Sequence, residues 1–104
     1  MIYRVVLSPR AEAQLDEVYR HIRAWSGEGR AGLVVTRLLE ACKGLQRFPM
    51  RGNARDDLFP GLRVMGYRRQ ATIAFTVERD TVTVHGVLWR GRDINALLAS
   101  EPEE

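Results

Sequence analysis

The 104-residue chain has one cysteine, two histidines and a single lysine. It also has no apolar run near the ~20 residues that span a bilayer. Each scarcity excludes a class. One thiol cannot close an internal disulfide, so the chain is not a disulfide scaffold, and the apolar helical stretch around Cys42 reads as a place for a small buried thiol rather than a nucleophile. Cys42, His21 and His85 are too far apart in sequence for a zinc site, and neither a metal nor another cofactor is expected. The N-terminal Met-Ile-Tyr-Arg lacks the charged-then-apolar layout of a signal peptide. The expectation is one soluble, cytoplasmic domain over residues 1–100, long enough for a modest core, followed by an acidic, disordered tail at 101–104.

What is abundant is arginine. Fifteen of the sixteen basic residues are Arg, and three of the thirteen acidic ones lie in the last four positions. Residues 1–100 therefore set sixteen basic against ten acidic residues, an excess of +6. Planar guanidinium groups in excess favour an acidic partner, either a nucleic acid or an acidic protein segment.

The hydrophobic period divides the chain in two. Residues 2–7 read as a first strand with Tyr3, Val5 and Leu7 on one face. Ser8 suits a helix N-cap and Pro9 the first helical turn, because proline's missing N–H is not needed there. Ala11, Leu15, Val18, Ile22 and Trp25 then form one helical stripe. Ser26-Gly27-Glu28-Gly29 interrupts it, and Val34, Leu38, Ala41, Leu45 and Phe48 form a second stripe that Pro49 ends. Two helices on so short a link make an antiparallel hairpin, whose apolar stripes need a sheet to cover them.

Residues 51–61 have a loop composition. Three strands follow, at 62–65, 71–77 and 81–89, the last two joined by a hairpin turn. Ile73, Phe75, Val77, Val82, Val84 and Leu88 are expected to face the helices. Thr72, Ala74, Thr76, Thr83, His85, Val87 and Trp89 are expected on an opposite, open face. Asp93 caps a short C-terminal helix carrying Ile94, Leu97 and Leu98. The fold class is α+β: an N-terminal strand, then a helical hairpin on one face of a mostly antiparallel sheet completed by three C-terminal strands, and a short C-terminal helix.

These residues resemble the RelE/ParE superfamily of bacterial type II toxins, with the ParE branch nearer. The resemblance runs from Leu7 to Leu98. It is carried by Leu7-Ser8-Pro9-Arg10-Ala11, Phe48-Pro49, Gly52, Arg55-Asp56-Asp57-Leu58 and Pro60-Gly61-Leu62-Arg63. It closes with Val87-Leu88-Trp89-Arg90-Gly91-Arg92-Asp93-Ile94 and Leu97-Leu98. It implies a growth-inhibiting toxin held in a hetero-oligomer by a cognate antitoxin, whose C-terminal segment wraps around it. ParE-like toxins are associated with DNA gyrase, and RelE-like ones cut mRNA on the ribosome.

An RNase needs acid/base groups beside cations, and this chain offers His85, with Arg63 and Arg90 as phosphate contacts. Where RelE-like enzymes carry a Tyr or His near the C-terminal end, this sequence has Trp89 and Arg90, and an indole exchanges no proton. The preferred reading is a non-enzymatic gyrase poison with no catalytic residue, whose candidate target-binding residues are Arg63, Arg68, Arg69, Trp89, Arg90 and Arg92. The alternatives are a ribosome-dependent endoribonuclease and an inactive module that only binds its antitoxin.

Overall fold

A computed structural model describes residues 2–90. The first strand, β1 (Arg4–Leu7), ends at Ser8, whose Oγ accepts the Ala11 N–H at 3.1 Å and caps the helix that Pro9 opens. This helix, α1, runs from Pro9 to Lys43 and is broken at Gly27, where φ is 88° and ψ 170°. Glycine takes that conformation without a Cβ penalty. A straight helix of this length would measure about 52 Å, yet the longest extent of the molecule is 39 Å. The break therefore turns the chain back, giving the two expected arms, 9–26 and 28–43. The second arm tightens into a 3₁₀ turn, Gly44–Gln46, and returns to β1, where the Tyr3 amide donates to the Gln46 carbonyl at 2.9 Å.

Four further strands follow: β2 (Asn53–Ala54), β3 (Leu62–Tyr67), β4 (Ala71–Glu78) and β5 (Thr81–Trp89). The sheet order is β1-β5-β4-β3-β2, with β1 parallel to β5 and every other pair antiparallel. The two-residue β2 lies inside the expected loop. The expected C-terminal helix lies outside the described residues.

The core forms where both arms meet the sheet. Ala11, Leu15, Val18 and Ile22 of the first arm and Ala31, Leu38 and Cys42 of the second are buried with Ile73, Phe75, Val82, Val84 and Val87. Both stripes depart from expectation at their far ends. Trp25 is 80% exposed and Phe48 67% exposed, because Trp25 lies at the hairpin tip and Phe48 beyond the 3₁₀ turn that ends the second arm.

One bulge corrects the expected faces of β5. Phe75 pairs with Val84 and Ala74 with Gly86, so His85 is an extra residue that inverts the alternation after it. Val87 therefore enters the helix-side core, Trp89 packs against that core, and Leu88 turns to the other face. The expected placements of Val87, Leu88 and Trp89 were the reverse. Nor is the second face bare: Leu62, Ala74 and Leu88 are buried there, with Val64 and with Leu58 from the 55–61 loop packed against them.

Candidate target-binding surface

The β3–β4 connection is three residues, 68–70, and begins with a β-turn in which Gln70 N donates to Tyr67 O at 2.8 Å. Its central residues, Arg68 and Arg69, have φ of 49° and 58°. This is the geometry that favours Asn-Gly, because a side chain in left-handed backbone costs about 1–2 kcal/mol. The turn thus presents two exposed guanidinium groups from positions where arginine is locally unfavourable. The Arg68 guanidinium stacks over the Tyr67 ring at 5.6 Å.

Beside this turn, the Arg90 amide donates to the Gln70 carbonyl at 2.7 Å and ties the end of β5 to it. Arg90 is also left-handed, with φ 52°, and its guanidinium lies 5.6 Å from the Trp89 ring centre. The helical hairpin brings further groups to the same end. A cavity of about 390 Å³ is lined by Trp25, Arg30, Gln70, Trp89 and Arg90, among others. A neighbouring one of about 300 Å³ is lined by Arg30, Arg37, Tyr67 and Arg68, among others. Among the described residues, no aspartate or glutamate lines either. Trp89 Nε1 is buried, and among the described residues it has no hydrogen-bond partner. The result is a cationic surface interleaved with aromatic rings.

Two sequence-expected residues lie elsewhere. Arg63 pairs across the sheet with Phe75 and so projects on the helix side of β3. Its Nε donates to Arg51 O at 3.0 Å, and its Nη2 to Met50 O at 3.0 Å and Gly52 O at 3.4 Å. Arg63 therefore pins the segment before β2. His85 lies on the opposite face, where its Nε2 shares a 2.9 Å hydrogen bond with the Thr76 hydroxyl and Phe59 meets its ring edge-on at 6.3 Å. Ser8 Oγ donates to the His85 carbonyl at 3.2 Å, so the helix cap also holds the bulge. Cys42 is buried in the core, and burial pushes its thiol up to about 11. Among the described residues, no group of three His, Cys, Asp or Glu side chains is placed to hold a metal ion.

The sequence matches the family model of the ParE toxin of type II toxin–antitoxin systems, parDE, over residues 5–94. The chain belongs to the ParE toxin family. Its fold is similar to a solved chain from the chromosomal ParDE toxin–antitoxin system of P. aeruginosa, with a TM-score of 0.75 and 23% identity. That alignment covers 86% of this chain and 97% of the other. No curated protein matches. No helix among the described residues is long and apolar enough to cross a membrane.

In this ParE-family chain, the fold gathers four of the sequence-expected target residues, Arg68, Arg69, Trp89 and Arg90, at one end of the sheet. Arg63 is set apart from them, and Arg92 lies outside the described residues. The fold adds three residues that sequence reasoning missed: Trp25, Arg30 and Arg37. Part of that signal was available. Arg30 and Arg37 are seven residues apart, two helical turns, and so share one face of the second arm. The spacing of Trp25 fits the first stripe and predicts a core position, and only the Gly27 turn takes it out.

Proposed function

We propose that this toxin acts by binding DNA gyrase and blocking it without catalysing a reaction, and that a cognate antitoxin neutralises it. The reading is carried by the dispersal of the groups that RNA cleavage would need. His85 is engaged with Thr76 on one sheet face, Arg63 is engaged with backbone carbonyls on the other, and Arg90 lies at the sheet end over Trp89. General acid–base chemistry needs its proton-transferring group within hydrogen-bond reach of the reacting atoms, with cations beside them. A constellation on opposite faces of a sheet does not supply that. Arginine and tryptophan clustered on an exposed end are instead the residue types that dominate protein interfaces.

A second surface suits the antitoxin. Beside the edge strand β1, a cavity of about 390 Å³ is lined by Val5, Leu7, Leu39 and Cys42 with Thr36 and Lys43, among others. Ile2, Val6 and Leu39 are exposed. An extended or amphipathic segment of a partner can bury these side chains and pair with the outer edge of β1, the end strand of the sheet among the described residues. This groove flanks the sheet edge, while the arginine cluster occupies the end formed by the β3–β4 turn.

The test adds purified toxin to gyrase and plasmid. Loss of supercoiling or accumulation of cleaved DNA supports the reading, and undisturbed supercoiling at excess toxin refutes it. Cleavage of mRNA in a translation extract, abolished by His85→Ala, would establish the ribonuclease reading instead. Unaffected growth on induction, with antitoxin binding retained, would mark an inactive module.

A further inference from the structure

Five arginines, Arg30, Arg37, Arg68, Arg69 and Arg90, converge from three separate elements on one end of the molecule. All five are exposed, and among the described residues none is in an ion pair. Like charges so placed repel one another, and those at 68, 69 and 90 also hold left-handed backbone that costs stability. Among the described residues the packing repays only part of this: Arg68 and Arg90 gain ring contacts at the solvent boundary, and Asn-Gly at positions 68 and 69 would close the same turn. Residues that break a local rule without a matching structural gain point to a ligand.

The accompanying residues narrow its chemistry. Trp25 is 80% exposed at the rim of the 390 Å³ cavity that Arg30, Arg90, Gln70 and Trp89 also line. A free indole face beside guanidinium groups is the pairing that holds a single nucleic-acid strand, with a base stacked on the ring and phosphates on the cations. The carboxylates of an acidic peptide would use the arginines but would leave the face of Trp25 unengaged.

We propose that this end of the toxin binds a single nucleic-acid strand, with Trp25 as the stacking platform and Arg30, Arg37, Arg68, Arg69 and Arg90 as the phosphate track. On the gyrase reading, the strand would be DNA that the enzyme opens. The binding measurement leaves gyrase out, so the two ideas fail separately: strand binding can be absent while supercoiling is still inhibited, and the converse.

The experiment measures anisotropy of a labelled mixed-sequence single-stranded DNA of about twelve nucleotides with the whole protein, and of a duplex of the same sequence, across a salt series. The strand should bind more tightly than the duplex, because stacking needs a free base face. With four or five phosphates engaged, log K should fall with log[salt] at a slope near −3. Trp25→Ala should weaken strand binding about tenfold, and Trp25→Phe should restore most of it. A joint Arg68→Glu and Arg69→Glu variant should abolish it at moderate salt, with circular dichroism confirming the fold.

Arg79 lies in the other hairpin turn, also left-handed with φ 57°, at the opposite end of the sheet. Arg79→Glu is therefore the control and should leave binding within about twofold. The proposal is overturned by no binding at low salt, by equal affinity for duplex and strand, or by equal loss with Arg79→Glu. Competition by a polyglutamate peptide as effective as unlabelled strand would also overturn it, reassigning the surface to acidic peptides.

Discussion

Thr76 and His85 share a 2.9 Å hydrogen bond between hydroxyl and Nε2 on the sheet face opposite the one that bears Arg63. The bulge produces this pairing by making His85 the extra residue between Val84 and Gly86. The imidazole is thereby tied into the sheet and capped by Phe59. His85→Ala should cost about 1 kcal/mol of stability, the worth of one such bond. It should leave gyrase inhibition within about twofold. Urea denaturation and a supercoiling assay measure the two effects, and a large loss of inhibition at unchanged stability would return His85 to the functional surface.

Arg63 and Gly52 hold the segment before β2. At Gly52, φ is 74°, and an added Cβ would collide with the Val64 carbonyl oxygen. Gly52→Ala should therefore destabilise by about 2–5 kcal/mol, combining left-handed strain with overpacking. Arg63→Ala removes its donors from three solvent-accessible carbonyls and should cost only about 1–2 kcal/mol. Denaturation midpoints of the two variants give the order, which reverses if Arg63 is the principal anchor.

Much of the architecture was legible because it rests on local signals. Ser8-Pro9 set the helix start, Gly27 the reversal, and the period-two runs the strands. The two stripes identified most of the core. What the sequence did not disclose depends on a single inserted residue. A bulge carries no strong composition signal, and this one moved Trp89 to the helix side and Leu88 to the other. Residues 51–61 have a loop composition with no apolar period, so nothing around Leu58 marks its contact with the second cluster. In the sequence, Arg68 and Arg69 stand out only by their charge. That they sit at the two left-handed positions of a turn followed only from the register of β3 against β4.

The thiol of Cys42 gives a pH prediction. Burial raises it from the ordinary value of 9.0 to about 11, so the folded protein holds its proton where the unfolded chain releases it. The contribution is intact below pH 9 and is lost as pH rises from 9 to 11. A two-unit difference corresponds to about 2–3 kcal/mol. Stability curves of the native protein and Cys42→Ala should converge in slope below pH 9, with the native falling more steeply above it. Thiol reagents should react with Cys42 only on unfolding.

The left-handed arginines allow a trade between stability and function. Replacing Arg68 with Asn and Arg69 with Gly together should stabilise the fold by about 1–2 kcal/mol by relieving turn strain. The same change should weaken toxicity while antitoxin affinity stays unchanged. Thermal denaturation, growth on induction and antitoxin titration read the three effects. Unaltered toxicity in a more stable protein would remove these arginines from the target surface.

The central claim is that the toxin stops growth through DNA topology and not through translation. The direct measurement is pulse labelling of DNA and protein synthesis after the toxin is induced without its antitoxin. The account requires DNA synthesis to halt first, with transcripts intact and cleaved DNA accumulating. An initial halt of protein synthesis with fragmented mRNA would contradict it.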